Sequence, residues 1–170
     1  MTFRGIARKT TALAGWAALG LSTATMLASP AQAQFRQEIG NDMSRCRGKG
    51  PAVRINVAGI KSGGGALRVQ LYRGIKADWL ESGRWIHRIE IPARAGSMAV
   101  CMPVPVAGTY AIAIRHDLNG NGDTDIMSDG GGMSNNPSIN IFNLGKPNYK
   151  KTAFEVPNAV KNITINMKYM

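Results

Sequence analysis

Apolar residues recur at every second position of this chain in short runs, a spacing that lines one face of an extended strand and is foreign to the 3.6-residue period of a helix. Val53, Ile55 and Val57 alternate with Arg54 and Asn56, and Leu67, Val69 and Leu71 with Arg68 and Gln70. Trp85, His87, Ile89 and Ile91 share a face opposite Arg88 and Glu90, and Met98, Val100 and Met102 alternate with Ala99 and Cys101. Tyr110, Ile112 and Ile114 follow, then a short SINIF segment, then Ile163, Ile165, Met167 and Tyr169 against Asn162, Thr164, Asn166 and Lys168. Seven such runs, punctuated by glycine and proline, predict an all-β domain: an antiparallel β-sandwich of about seven strands, immunoglobulin- or transthyretin-like in layout. KSGGGA (61–66) reads as a hairpin turn and PVPVAG (103–108) as a corner. The only helix expected is a single turn around Ala77 to Glu81, and residues 118–148 read as one long connection between strands.

The first residues stand apart from this pattern. Arg4, Arg8 and Lys9 precede an uncharged run that ends in AQA, the layout of a secretory signal peptide cleaved after Ala33 or nearby. An uncleaved anchor is the alternative, since about 20 residues could span a bilayer, but the run is rich in Ala, Thr, Ser and Gly. Residues 34–170 are then expected to form one periplasmic or secreted domain with no transmembrane segment. Without residues 1–33 and their three cations, the net charge of +11 becomes +8 over 137 residues. Export into an oxidising compartment makes a Cys46–Cys101 disulfide the default for the only two cysteines, with two free thiols as the alternative. Closing a loop of that length is worth about 4 kcal/mol on a chain-entropy argument.

Within so basic a chain, HDLNGNGDTDIMSD (116–129) gathers four of the ten acidic residues into the thirteen positions from Asp117 to Asp129, and no Lys or Arg occurs from His116 to Gly145. Asp117, Asn119, Asn121, Asp123 and Asp125 place an oxygen at every second position, with Gly122 after the third. A hard cation such as Ca²⁺ takes six to eight oxygens, alternate positions can turn inward to supply them, and the glycine permits the bend. In that register Asp117, Asn119 and Asn121 ligate through side chains, Asp123 through its carbonyl, and Asp125 directly or through water. The twelfth position is Ser128 instead of a bidentate glutamate, and Asp129, one step on, is expected to curl in. Ordinary Asx-turns are the competing account of N-G-N-G.

GTYAIAIRHDLNGNGDTD, then MSNN (133–136), then GKPNYKKTAFEV (145–156) resemble the bacterial exported family labelled domain of unknown function 2141, from about Val53 to Tyr169. The resemblance implies an immunoglobulin- or transthyretin-type sandwich in the periplasm and no established activity. Where such proteins commonly carry Gly-x-Pro-x-Glu after the acidic loop, this chain has Ser128, Asp129 and Gly130 to Gly132, so a ligand held by that segment is not implied here.

Signatures of nucleophilic, zinc or phosphate-binding catalysis are missing from the sequence, and an enzyme is not expected. His116 and Asp117 are neighbours on a strand and point to opposite faces, so His116 is expected to support the loop, as is Gly122. His87 reads as a packed or half-exposed histidine. Of Trp79 and Trp85, one is expected to cap the core and the other to pack a loop. The expected function is an exported binding module: Ca²⁺ orders the loop, and the loop presents MSNN and its neighbours to an envelope component or protein. The alternative is a metal-independent module for anionic envelope components or carbohydrate, using Arg45, Arg47, Lys49 and Arg54 or Lys146, Lys150 and Lys151. Nucleic acid is not an expected partner.

Overall fold

In the first alternating run Val53, Ile55 and Val57 are fully buried while Arg54 and Asn56 are exposed, as β2 (Ala52–Ile60) of a two-sheet structure. The computed structural model describes residues 1–2, 35–125, 127–139 and 145–169. The expected signal peptide, apart from residues 1–2, and the last part of SINIF lie outside the described residues. Preceding β2 are β1 (Gln37–Glu38) and a 3-10 turn (Met43–Cys46) whose N-cap Asp42 accepts the Ser44 N–H. After β2 come β3 (Ala66–Arg73), β4 (His87–Pro92), β5 (Gly96–Pro103), β6 (Gly108–Asp117) and β7 (Gly130–Met133). One helical turn, α1 (Tyr149–Thr152), leads into β8 (Phe154–Val156), β9 (Val160–Asn166) and β10 (Lys168–Tyr169).

The larger sheet runs β1-β4-β3-β6-β7-β10, with β8 also on β6; the smaller runs β5-β2-β9. Pairing is antiparallel except for β1 on β4 and β9 on β2, which are parallel. The two inner faces meet in one core: Val53, Ile55 and Val57 with Val100, Met102 and Ile165 on one side, Leu67, Val69, Leu71, Ile89, Ile112 and Ile114 on the other. Each fully buried side chain of this kind contributes about 1.5–3 kcal/mol. A second cluster lies on the outer face of the larger sheet, where Tyr72, Ala111 and Ala113 meet Trp79, Trp85 and Met133. Burial there pushes the Tyr72 phenol up to about 12. Cys46 and Cys101 are joined, their Cα atoms 5.8 Å apart, which pins the 3-10 turn to β5. Among the described residues no helix is long and apolar enough to cross a membrane.

Five local expectations are corrected. KSGGGA is a crossing and not a hairpin, because β2 and β3 belong to different sheets. The turn at Ala77–Glu81 is non-helical, and among the described residues the one α-helical turn comes at Tyr149, capped by the Asn148 side chain. The final apolar run is divided: β9 ends in the smaller sheet and β10 joins the larger one, while Met167 and Tyr169 still pack on the core. Trp85 leaves the face of Ile89, because the chain bends at Ile86, sends Ile86 into the core and turns the indole outward to Tyr72 and Trp79. Finally, 118–148 is not one connection, since Gly130–Met133 pairs with both β6 and β10. Glycine is required there by close approach: a Cβ at Gly130 would lie 2.6 Å from Tyr169 Cζ, and one at Gly132 2.9 Å from Ile165 Cγ2 and Met167 Sδ.

Candidate functional site

Asp117 ends β6 with its side chain buried, and the next twelve residues wind back to β7 around it. Its Oδ1 accepts the Gly120 N–H at 2.8 Å and its Oδ2 the Gly122 N–H at 2.9 Å. Gly122 makes this possible with φ +83, a backbone region closed to most side chains. Two Asx turns carry the winding on: Asn119 Oδ1 accepts from Asn121 N at 3.1 Å, and Asn121 Oδ1 from Asp123 N at 2.8 Å. The amides of Asn119 and Asn121 both donate to Asp125 Oδ2, each at 2.9 Å. Asp129 does curl in: its two oxygens accept the Leu118 and Asp125 N–H groups at 3.2 and 3.0 Å. Asp125, Asn119 and Asn121 therefore meet, Asp117 and Asp129 close the loop through its backbone, and Asp123 stays exposed at the crest. Among the described residues no three acidic, histidine or cysteine side chains converge on one point; the oxygens that do approach each other are mixed carboxylate and amide.

The loop has no cation of its own, yet one reaches it from the sheet, which the linear sequence did not disclose. Arg115 on β6 donates to Gly122 O and Thr124 Oγ1, both at 2.7 Å, and lies 3.5 Å from Asp117 Oδ2. Arg68, its direct partner on β3, donates to the same Gly122 carbonyl at 3.4 Å. Burial, then the adjacent Arg68 charge, lowers the Arg115 pKa. Burial pulls the Asp117 carboxyl upward, but the Gly122 and Gly120 N–H groups and Arg115 overcome it and leave its pKa below the ordinary value.

His116 points the other way from Asp117 and is fully buried, with Nε2 2.8 Å from Gly64 O and Nδ1 2.7 Å from Tyr169 Oη. A carbonyl can only accept, so Nε2 carries the proton, Nδ1 accepts the Tyr169 hydroxyl, and the phenol oxygen accepts Lys61 N–H at 3.0 Å. His87 is half-buried between Pro103 O and Gln37 Oε1. Trp79 fixes a loop by donating to Pro147 O at 2.8 Å, and Trp85 lies under Arg88.

MSNN is divided: Met133 and Ser134 face inward, while Asn135 and Asn136 are exposed. Met133 and Ser134 are buried, and Ser134 Oγ donates to Thr152 O and accepts from Ile112 N. Asn135 donates to Ala153 O; Asn136 donates to Thr164 O at 2.9 Å and accepts from Asn166 N at 2.8 Å, so its amide covers part of the free edge of β9. Asn41 does the same for β5, donating to Ala99 O at 3.1 Å and accepting from Cys101 N at 2.9 Å. Both side chains imitate a neighbouring strand, and neither role leaves a periodic signal in the sequence.

The family model described as uncharacterized protein conserved in bacteria (DUF2141) matches residues 55–164, from β2 to β9. No curated protein and no solved structure matches the chain.

Proposed function

The chain belongs to this family of uncharacterized bacterial proteins, and we propose that it is an exported, non-enzymatic β-sandwich whose Asp/Asn loop binds Ca²⁺ and so stiffens one end of the larger sheet. The observation that carries this reading is the meeting of Asn119, Asn121 and Asp125, with Asp117 and Asp129 already folded in behind them. At present two amide N–H groups offset the Asp125 charge. A cation arriving there takes over that role when the two amides rotate to offer their oxygens, and Asp123 at the crest adds a further carboxylate. Four carboxylates against one paired arginine leave the loop negative, which favours a cation. Asp117 Oδ1 and Oδ2 hold the frame; Asp125 and Asp123 supply the charge. The surface made rigid is the crest, Asn119 to Thr124, together with Met127, whose side chain is exposed. That crest, with the exposed Asn135 and Asn136 of MSNN, is what an envelope component or protein partner would meet. In support of a non-catalytic role, both nitrogens of His116 are engaged within the fold.

The test is the thermal midpoint after exhaustive chelation, with and without millimolar Ca²⁺ and with Mg²⁺ as control. At about a hundred times the dissociation constant, a native-state ligand adds roughly 2.7 kcal/mol, which a domain of this size registers as several degrees. The rise should vanish in Asp125→Ala. No rise at any Ca²⁺ concentration overturns the reading.

One observation favours a second reading, a loop that is complete without metal: Arg115 already ties Gly122, Thr124 and Asp117 together. On that account Arg115→Gln loosens the loop whether or not Ca²⁺ is present. On the Ca²⁺ account the ion compensates for much of the lost arginine.

A further inference from the structure

The outer face of the three-stranded sheet is uncovered, and its chemistry is lopsided. No Asp or Glu occurs in β2, β5 or β9, whereas the strands of the larger sheet hold Glu38, Glu90, Asp117 and Glu155. Arg54, on the central strand, is exposed and sits in register with Cys101 on one side and Asn162 on the other; the next row is Ala99, Asn56 and Thr164. Arg54, Asn56, Asn162 and Thr164 line one open groove, and Arg47 and Lys49 line a second, next to it across Val160. The Cys46–Cys101 disulfide holds the two together, because Cys101 is the strand neighbour of Arg54 and Cys46 ends the turn that leads to Arg47 and Lys49. Among the described residues Arg47, Lys49 and Arg54 form no ion pair, while Arg68, Arg73, Arg84, Arg88 and Arg115 all do.

We propose that this face docks an acidic polysaccharide. Arg54 would hold a sugar carboxylate through its planar fork, Asn56, Asn162 and Thr164 would pair with hydroxyls, and Arg47 and Lys49 would meet the next charge along the chain. Strand spacing near 4.8 Å and a two-residue repeat of roughly 7 Å set these groups in a flat grid, which suits an extended polymer better than a compact ion. Asn41 and Asn136 occupy backbone positions on the two edges of this sheet, which directs a partner to the face and away from strand addition. Other polyanions fit less well. The exposed large apolar side chains Ile75, Val106 and Met127 lie elsewhere, so the face has no anchor for a bilayer. It carries no aromatic ring on which bases could stack. The site is remote in sequence from the acidic loop and does not depend on the loop's ion.

The experiment is co-sedimentation and titration of the purified protein with polygalacturonate, in chelator so that loop metal plays no part. Neutral dextran, phosphatidylglycerol vesicles and duplex DNA serve as comparisons. We expect saturable polygalacturonate binding that weakens with salt, is absent for dextran, and falls at least about tenfold in Arg54→Gln/Asn162→Ala and again in Arg47→Gln/Lys49→Gln. Lys150→Gln/Lys151→Gln, which removes two charges from exposed positions on α1, as many as Arg47→Gln/Lys49→Gln and one more than Arg54→Gln/Asn162→Ala, should change it less than about twofold; all these positions are exposed, and unchanged thermal midpoints confirm folding. Equal losses from the α1 pair and the Arg54 pair would overturn the proposal by reducing it to net charge. So would failure to bind polygalacturonate, or tighter binding to vesicles or DNA.

Discussion

Replacing Tyr169 by phenylalanine removes one oxygen atom and leaves the ring packed over Gly130, so its effect isolates the buried hydrogen-bond chain from Lys61 N–H through Tyr169 to His116. Two groups lose a partner. Lys61 is exposed and water can satisfy its N–H, but His116 is fully buried, and its Nδ1 is left with an unpaired lone pair. An orphaned buried acceptor costs about 1–3 kcal/mol, which in a domain of this length lowers the thermal midpoint by roughly 3–15 °C. The internal control is Tyr110→Phe, which also deletes a phenol oxygen but frees only the carbonyl of Val106, an exposed residue; about 0.5–1.5 kcal/mol is expected there. Denaturant and thermal unfolding of both variants, with the disulfide intact, provide the comparison. If Tyr169→Phe cost no more than Tyr110→Phe, the derived tautomer and the role of His116 as a pin between the Lys61–Gly65 segment and β10 would both be refuted.

Acid unfolding should report on Asp117. Its folded pKa lies below the ordinary 3.8, so its contribution is present above that value and is lost as pH falls through the folded pKa; Asp117→Asn should flatten this part of the stability profile. Gly132→Ala should destabilise by about 1–3 kcal/mol through overpacking against Ile165 and Met167, read from the denaturation midpoint. Asn136→Ala should cost about 1 kcal/mol and speed amide exchange at Asn166, whose N–H loses its acceptor; unchanged exchange would remove the edge-covering role.

Period-two alternation was enough to place most of the core, because burying one face of a strand leaves a mark at every second residue: Val53, Ile55, Val57, Leu67, Val69, Leu71, Ile112 and Ile114 all lie where it puts them. Two cysteines in a chain read as exported were enough for the disulfide, and local spacing was enough to wind the acidic loop about Asp117 with Asp129 turned in. The core and the loop need no partner distant in sequence to be recognised, and the disulfide needs only that the chain has two cysteines. Gly130–Met133 had no alternation to show, since its glycines answer to the bulk of Tyr169, Ile165 and Met167 more than thirty residues away. Arg68 reaches the loop only because β3 lies beside β6, and Asn41 and Asn136 cover strand edges that exist only once the sheet has formed. Periodic burial and short-range turn chemistry are properties of the chain itself, and the sequence determined them. The second arginine at the acidic loop, Arg68, the amides that guard the edges and the setting of Arg54 among Asn56, Asn162 and Thr164 arise from strand pairing across long separations, and tertiary structure alone decided them.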